Sequence, residues 1–370
     1  LPFLPMPLIQ ILLGIGIGLC LPNNQYHLDT ELFLALVIGP LLFREAQEAD
    51  ITSILKHWRI VLYLIFPVIF ISALSMGGVA HVLWASLPLA ACVAVGAALG
   101  PTDLVAFASL SQRFSFPKRV SNILKGEGLL NDASGLVAFR MALIAWTTGT
   151  FSLTQAGTSL AISIVGGFAV GLITALINRF LHTFLLSVRA TDIASELLLE
   201  LSLPLLTFFI AEEIHVSGII AVVVAGILKA SRFKKINLLE AQVDTVTETV
   251  WQTVTFMLNG SVFVILGMEL EMIAEPILKS AFYNKVLLLL SVFLLTFLLF
   301  AIRFVMIYGF YAFRIKKLHK SLDKYVKDML LLTFSGVKGT VSIATILLIP
   351  SNLEQEYPLL LFLVAGVTLV

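Results

Sequence analysis

Charged residues are scarce in this sequence. Asp, Glu, Lys and Arg make up 13% of its 370 residues, whereas soluble domains carry about 25%. Hydrophobic residues reach 59% and the mean hydropathy is +1.00, which excludes a soluble globular protein. The formal net charge is only +1, so no basic surface indicates a nucleic-acid partner. The two cysteines, Cys20 and Cys92, lie in apolar stretches and are expected to be small packing residues.

Several motifs are also missing. There is no nucleotide-binding P-loop and no His-Glu-x-x-His zinc motif, and no Thr-Val-Gly-Tyr-Gly potassium filter. These absences count against an ATP-driven pump and a zinc protease. Two rivals from other classes stay open: a cation channel, and an intramembrane aspartyl protease, although Gly100 to Asp103 lacks the second glycine of a Gly-x-Gly-Asp element. We predict no enzymatic activity and no cofactor.

The start of the chain has neither a basic region nor a small-residue cleavage site, so the apolar stretch Leu8 to Cys20 is not expected to be a signal peptide. The last apolar run is interrupted at Val370. We therefore expect both ends to be trimmed.

Apolar stretches of about 20 residues follow one another, each able to cross the roughly 30 Å hydrocarbon core of a bilayer. The predicted spans are 5–21, 30–45, 58–77, 83–111, 122–146, 158–184, 193–211, 216–230, 249–270, 284–313, 328–349 and 357–370. We therefore predict an all-α polytopic membrane protein, with about 12 transmembrane helices in one membrane domain over residues 1–370 and the lipid bilayer as its surroundings.

Basic residues collect in every second loop, as expected for loops on the cytoplasmic side. They are Arg44, Lys56 and Arg59; Arg113, Lys118, Arg119 and Lys125; Arg179 and Arg189; Lys229, Arg232, Lys234 and Lys235; and Arg314, Lys316, Lys317, Lys320, Lys324 and Lys327. This alternation predicts that both ends of the chain face the cytoplasm. We expect an integral protein of the cell (plasma) membrane.

Few ionisable residues fall inside the predicted spans, and an intramembrane charge is a functional hypothesis by default. They are Asp103, Glu127, Asp132, Arg140, Arg303 and Lys338, with Glu45, Glu196 and Glu200 near span ends. Three of them, Asp103, Asp132 and Lys338, lie about ten residues, or about 15 Å, from a cytoplasmic end. Polar groups that meet near the midplane indicate an ion pathway. For Arg140 and Arg303 the simpler interpretation is structural pairing.

Two of the spans contain helix-breaking residues beside a charge. Gly100 to Asp103 includes a proline, and Ser335 to Thr340 includes two glycines around Lys338. The two spans run in opposite directions, which is typical of the discontinuous helices of an inverted repeat, with the substrate site at the midplane. A buried lysine would offset the partial negative charge of half-helix ends. Glu127 is the expected partner of Lys338 in a structural ion pair.

The segment Gly126 to Asp132 (Gly-Glu-Gly-Leu-Leu-Asn-Asp), preceded by Thr102-Asp103, resembles the NhaP-like branch of the monovalent cation:proton antiporters, the cation:proton antiporter-1 family, which includes the sodium/hydrogen exchangers. Further similarity occurs at Pro40 to Phe43, Ser217 to Gly226 and Leu258 to Gly267. The resemblance therefore covers nearly the whole chain.

The resemblance implies an NhaA-like antiporter fold with inverted repeats and two crossing broken helices. The family has a further first helix that is missing here, because Leu1 to Pro22 is similar to its second one. A core bundle is implied around 58–146 and 284–370. A dimerisation bundle is implied around 1–45 and 158–270, and with it a homodimer.

The resemblance also implies a role for each motif residue. Asp132 would be the ion- and proton-binding carboxylate, with Asn131 as its neutral neighbour. Thr102 would offer its main-chain carbonyl, so that Na⁺ binds at Asp132 and Thr102. Asp103 would hold the broken helix and the cavity together. Glu45 is the nearest match to a carboxylate that lies near the family's cavity.

Three positions depart from the family pattern. Leu104 stands in place of a proline, Gly128 in place of a serine, and Lys338 in place of an arginine, which loses the bidentate fork. The implied function is exchange of Na⁺ (or Li⁺) for H⁺ in pH homeostasis, electroneutral and one-for-one, by competition for Asp132. K⁺/H⁺ exchange by the same fold is the alternative.

Overall fold

The structure, a computed structural model, describes residues 6–20, 30–103, 116–149, 153–187, 192–230, 238–279, 284–318, 325–336, 338–346, 348–349 and 357–369. All regular elements within these ranges are helical. They are α1 (Met6–Cys20), α2 (Thr30–Phe33), α3 (Gly39–Glu48), α4 (Ile51–Leu55), α5 (Trp58–Tyr63), α6 (Ile69–Leu83), α7 (Leu89–Ala98), α8 (Lys118–Thr148), α9 (Leu153–Ser187), α10 (Ile193–Glu213), α11 (Gly218–Ala230), α12 (Leu238–Lys279), α13 (Lys285–Leu318), α14 (Val326–Phe334), α15 (Thr340–Ile346) and α16 (Tyr357–Leu369).

Six helical stretches among the described residues are long and apolar enough to cross a membrane. They are Trp58–Leu83, Lys118–Thr148, Gly157–Leu185, Ile193–Glu213, Thr245–Met268 and Lys285–Arg314. Shorter apolar helices occur at Leu8–Cys20, Leu89–Ala98, Gly218–Ala230 and Leu359–Thr368. The prediction of an all-helical membrane protein is confirmed, whereas the number of transmembrane helices stays a prediction.

Two π-helical turns interrupt otherwise continuous helices. Leu34–Ile38 joins α2 to α3, and Leu64–Val68 joins α5 to α6. The second turn contains Pro67, which has no N–H to donate to the helical ladder. Within this turn, the Ile65 carbonyl accepts a hydrogen bond from the Ser134 hydroxyl of α8 at 2.9 Å. A side chain of α8 is thus tied to an irregular turn of another helix.

The chain divides into two compact units. The first comprises residues 1–26, 50–151 and 264–370, and the second comprises 27–49 and 152–263. Residues 1–26 and 264–270 fall in the first unit, although the sequence interpretation placed them in the dimerisation bundle. Gly14 of α1 and Gly267 of α12 explain this packing, since a Cβ on either would overlap the backbone of the other helix. The roles of a moving core bundle and a dimerising bundle stay predictions.

The first unit has an apolar core at one end of its helices, where α5, α8, α13 and α14 meet. This core includes Ile60, Leu64, Val120, Ile123, Ile307, Tyr311 and Leu332. Elsewhere in the unit, α6 and α7 pack through small residues: a Cβ on Gly96 would lie within 2.9 Å of the Cα of Ala73. Small residues let membrane helices approach closely when both sides are apolar.

A short capped helix precedes the first long span of this unit. The Asp50 side chain accepts a hydrogen bond from the Ser53 backbone N–H at 3.1 Å, as a helix N-cap does. Hydrogen bonds from the Ser53 and Thr52 side chains and the Ser53 N–H lower the pKa of Asp50 to about 2. The cap therefore stays ionised well below neutral pH.

The second unit contains a buried polar network. Lys229 Nζ lies 2.8 Å from Glu200 Oε2 and donates to Asn178 Oδ1 at 3.0 Å. Gln47 Nε2 donates to the other oxygen of Glu200 at 2.6 Å. Glu200 is buried, so it is a member of a satisfied ion pair between helices and not a hydrated carboxylate at a span end.

Candidate ion-binding site

The first predicted helix break lies just after α7. The helix ends at Ala98 with Leu99 as its C-cap, and residues 100–103 lie outside the helix. The break packs directly on α8, because a Cβ on Gly135 would lie only 2.2 Å from Pro101 Cγ. Thr102 is buried and Asp103 is partly buried in this segment. Any continuation of the helix, including Leu104, lies outside the described residues.

Helix α8 presents polar side chains to this break. Glu127, Asn131 and Ser134 are buried and lie at positions i, i+4 and i+7, so they share one face of the helix. Asn131 Nδ2 donates to Thr102 Oγ1 at 2.5 Å and to Thr102 O at 3.3 Å. The Ser134 hydroxyl lies 2.8 Å from Asn131 O. The broken segment is thereby attached to α8 at the residue before Asp132.

The ion pair of Glu127 differs from the sequence prediction. Arg303 of α13 donates from Nη1 and Nη2 to the two carboxylate oxygens of Glu127, at 2.6 Å and 2.8 Å. Arg303 also donates from Nε to Leu332 O at 2.9 Å. The planar guanidinium fork of Arg303 fits the Glu127 carboxylate with two parallel bonds, and the predicted Glu127–Lys338 pair stays a prediction. The structural role expected for Arg303 agrees with this geometry.

Lys338 has a different partner. It lies in the second break, where α14 ends at Phe334 and α15 begins at Thr340. Its ammonium group donates to the carbonyls of Gly100 and Pro101, at 2.7 Å and 2.8 Å. A buried lysine thus donates to two carbonyls of the break that follows α7, close to the half-helix end whose partial negative charge it was expected to offset. The two broken segments are joined by these two bonds.

The glycines on either side of Lys338 are required by what lies against them. A Cβ on Gly336 would lie 2.7 Å from Arg303 Nε. A Cβ on Gly339 would overlap the Asp103 carboxylate. The missing side chains leave room for the Arg303 guanidinium beside Gly336 and for the Asp103 carboxylate beside Gly339. The sequence pattern alone did not predict these two contacts.

Asp132 is the buried acid of the site, with 6% of its surface exposed. Its Oδ1 atom has no hydrogen-bond partner among the described residues, and Asn131 Oδ1 shares this property. The charged groups that act on Asp132 are Asp103 and Lys338. A buried carboxylate oxygen without a donor is suited to a positively charged ligand, because an unpaired buried acceptor is costly.

The predicted site residues are only partly brought together. Asp132, Asn131, Thr102 and Asp103 lie in the first unit, with Thr102 bonded to Asn131. Glu45 is a partly buried residue of α3 in the second unit, so its placement at the cavity stays a prediction. Binding of Na⁺ at Asp132 and Thr102 stays a prediction as well.

Sequence reasoning missed one contact of the site. It did not single out Ser134, which joins α8 to the π-helical turn at Ile65. A signal was available, because Ser134 lies seven residues after Glu127 and three after Asn131, on the same helical face.

Comparison with known proteins links this geometry to membrane exchangers. The family model described as "Sodium/hydrogen exchanger, transmembrane" matches residues 1–370. A protein of Bacillus pumilus (strain SAFR-032), named "Sodium, potassium, lithium and rubidium/H(+) antiporter", is 35% identical over 375 residues, covering 100% of this chain and 56% of that protein. The "Uncharacterized Na(+)/H(+) exchanger YjcE" of Escherichia coli (strain K12) is 31% identical over 387 residues, covering 100% of this chain and 70% of that protein.

The fold has a solved counterpart as well. The structure of the sodium proton antiporter MjNhaP1 from Methanocaldococcus jannaschii at pH 8 aligns with a TM-score of 0.68 at 17% sequence identity, covering 98% of this chain and 86% of that one. At this identity the likeness concerns the fold. The present chain spans just over half the length of the Bacillus relative, 56%.

Proposed function

Because the chain belongs to the sodium/hydrogen exchanger family, we propose that it exchanges a monovalent cation for protons across a membrane through Asp132. One observation carries the proposal: Asp132 is buried, and its Oδ1 has no hydrogen-bond partner in the described part of the chain. A carboxylate held out of water needs a positive partner, and either a proton or a metal cation meets that need. Competition for one carboxylate then couples the two flows.

The stoichiometry in this proposal is one cation for one proton. Asn131 cannot ionise, so Asp132 is the one member of the Asn131–Asp132 pair that can exchange a proton for a cation. The transported ion is Na⁺ or Li⁺, with K⁺ as the alternative. The name of the Bacillus pumilus relative, which includes sodium, potassium, lithium and rubidium, supports testing all four. Alternating access and homodimerisation belong to the proposal through the family resemblance.

The experiment that tests the proposal is proton movement in proteoliposomes that contain a pH-sensitive dye. The purified full-length protein is compared with Asp132→Asn while Na⁺, Li⁺, K⁺ or Rb⁺ is added outside. We expect cation-driven proton efflux in the wild type and its loss in Asp132→Asn. The Na⁺-driven flux should persist when the membrane potential is clamped, as an electroneutral exchange requires. Counterflow of the two ions also separates an antiporter from a channel or a protease.

A matched control makes the same chemical change elsewhere. Asp192 caps α10 through a 2.8 Å hydrogen bond from the Ser195 N–H, and asparagine caps helices about as well as aspartate. Asp192→Asn should therefore transport like the wild type. Normal exchange in Asp132→Asn would remove the basis of the proposal.

We also propose that both ends of the chain face the cytoplasm of the cell membrane, following the alternation of basic loops. Cys20 ends α1 and is exposed, whereas Cys92 is buried. In this orientation Cys20 lies near the outer surface. A membrane-impermeant maleimide should label intact cells through Cys20, and the variant Cys20→Ser should remove the label. Labelling only after the cells are opened would mean that Cys20 lies on the cytoplasmic side and that the proposed orientation is wrong.

A further inference from the structure

Four helices of the first unit, α5, α8, α13 and α14, have ends that lie close together at the apolar core described above. Three of these ends are also ends of candidate membrane spans, because Trp58 and Lys118 each begin a span and Arg314 ends one. Tyr325, which directly precedes α14, packs on Tyr311 of α13 with ring centroids 5.6 Å apart. This end of the unit is therefore expected at the level of a membrane surface.

Basic side chains gather around His57 at these helix ends. Among the described residues, the charged groups that act on His57 are Arg119, Arg314 and Lys56, and all three are cations. Burial and then these three charges lower the pKa of His57 below its ordinary value. We call Lys56, Arg119 and Arg314 the basic cluster. Because like charges repel one another, an anion bound among them would be stabilised.

The nearby carboxylates leave much of this positive charge unbalanced. Asp50 accepts three hydrogen bonds from the first residues of α4, and Lys56 acts on it less than those bonds do. Asp328 lies 3.7 Å from Arg119 and balances that cation. Arg314 is exposed and makes no ion pair within the described part of the chain. Positive charge therefore remains at Lys56 and Arg314.

Arg119 is the fixed member of the basic cluster. Its guanidinium carbon lies 5.0 Å from the centre of the Tyr325 ring and 5.5 Å from that of Tyr311. Its Nη2 donates to the Tyr311 hydroxyl oxygen at 3.3 Å, and its buried Nε has no acceptor among the described residues. A guanidinium held against two rings loses little conformational freedom when it binds an anion. The basic cluster thus combines one fixed cation with two exposed ones.

Apolar side chains border the basic cluster on the side of the candidate spans. Phe313 and Trp58 are exposed and adjoin Arg314 and His57 in the sequence. The Arg59 guanidinium carbon lies 5.5 Å from the Trp58 ring centre. Tryptophan and basic side chains are typical of the level of lipid headgroups. A phospholipid offers a phosphate to the cations and acyl chains to the exposed rings, whereas free phosphate offers only the first.

We propose that Lys56, Arg119 and Arg314 form a binding site for the headgroup of an anionic phospholipid. The phosphate offsets the repulsion among the three cations and joins helix ends that are far apart in the sequence. Basic pockets between membrane helices are a known means of recognising acidic headgroups. The inference goes beyond the proposed ion exchange, because the site contains neither Asp132 nor a residue of the two helix breaks.

The test is lipid binding to the purified full-length protein in detergent, followed by native mass spectrometry and by the rise in unfolding temperature on adding lipid. The probe is phosphatidylglycerol, and the two comparison arms are phosphatidylcholine and inorganic phosphate. We expect phosphatidylglycerol to bind more tightly than either of them. Arg314→Gln should weaken its binding about fivefold, the factor for one basic side chain at a charged headgroup. Arg314→Lys keeps the charge and should keep most of the affinity.

A matched control separates this site from a general attraction between basic residues and acidic lipid. Arg179 is an exposed arginine of α9 in the second unit, and the exposed Phe180 follows it. Arg179→Gln should therefore bind phosphatidylglycerol like the wild type. Equal weakening by Arg179→Gln and Arg314→Gln would overturn the site. Arg119→Gln removes the fixed cation, and Lys56→Gln, at an exposed side chain, gives the same test if that variant does not fold.

The comparison arms decide which ligand the basic cluster recognises. Equal binding of phosphatidylcholine and phosphatidylglycerol would mean that the negative charge of the headgroup is not recognised. Stabilisation by inorganic phosphate as strong as that by phosphatidylglycerol, and lost in Arg314→Gln, would identify a soluble phosphate ligand instead. Either result would overturn the inference. Lipid binding is measured without transport, so a lack of cation-driven proton movement in the wild type would overturn only the proposed function.

Discussion

Replacing Arg303 by methionine should leave Glu127 as a buried carboxylate without its cation. The two groups are 3% and 1% exposed, and two hydrogen bonds of 2.6 Å and 2.8 Å join them. Removing one partner of a buried ion pair costs about 3–5 kcal/mol, because the remaining charge keeps its desolvation penalty. The Leu332 carbonyl also loses its 2.9 Å donor. We expect a loss of about 4 kcal/mol in the free energy of unfolding.

The assay is thermal unfolding of the purified protein in detergent. Globular proteins have an unfolding entropy of about 2.1 cal/mol/K per residue. With this value, a loss of about 4 kcal/mol in the free energy of unfolding lowers the Tm of a 370-residue chain by about 5 °C. The double variant Arg303→Met/Glu127→Gln removes both charges and should recover most of this loss. The coupling between the two positions follows from the cycle of single and double variants.

The same cycle with Lys338→Met decides between the two pairings of Glu127. Lys338 donates to the Gly100 and Pro101 carbonyls, so its removal should destabilise the protein with only weak coupling to Glu127. A Glu127–Lys338 coupling larger than the Glu127–Arg303 coupling would refute the arrangement described above and restore the sequence prediction.

Three further variants have defined outcomes. Gly339→Ala should destabilise the protein by about 1–3 kcal/mol through overpacking, whereas Gly78→Ala, which has open space around its Cβ, should not; thermal unfolding compares them. Lys229→Met should cost about 3–5 kcal/mol by leaving its buried glutamate partner unpaired, seen as a lower Tm, and an unchanged Tm would contradict the network. Asp50→Ala should speed amide hydrogen exchange in α4. Hydrogen bonds from Ser53 and Thr52 lower the pKa of Asp50 to about 2. The cap therefore stabilises α4 fully at pH values above the ordinary pKa of aspartate, and this stabilisation is lost as the pH falls through about 2. A difference in exchange rate between variant and wild type that persisted below pH 2 would contradict this.

Much of the fold could be predicted because it depends on local composition. The scarcity of charge and the length of the apolar stretches indicate membrane helices, since no other segment can bury its backbone polar groups in lipid. Pro101 and the glycines around Lys338 mark the two departures from helical structure, because a missing N–H or a missing side chain weakens a helix wherever it stands. The buried position of Asp132 followed from the same pattern.

What only the tertiary structure decided is which groups meet. Arg303 lies 176 residues from Glu127, and Lys338 lies 238 residues from Gly100. Arg303 comes from another helix and Lys338 from the second break, and the sequence predicts neither the rotation of a helix about its axis nor its height relative to its neighbours. Those two quantities place the guanidinium fork, and not the ammonium group, against the carboxylate. The same packing brings the NH₂ group of Asn131 to Thr102, a contact between two segments that neither carries by itself.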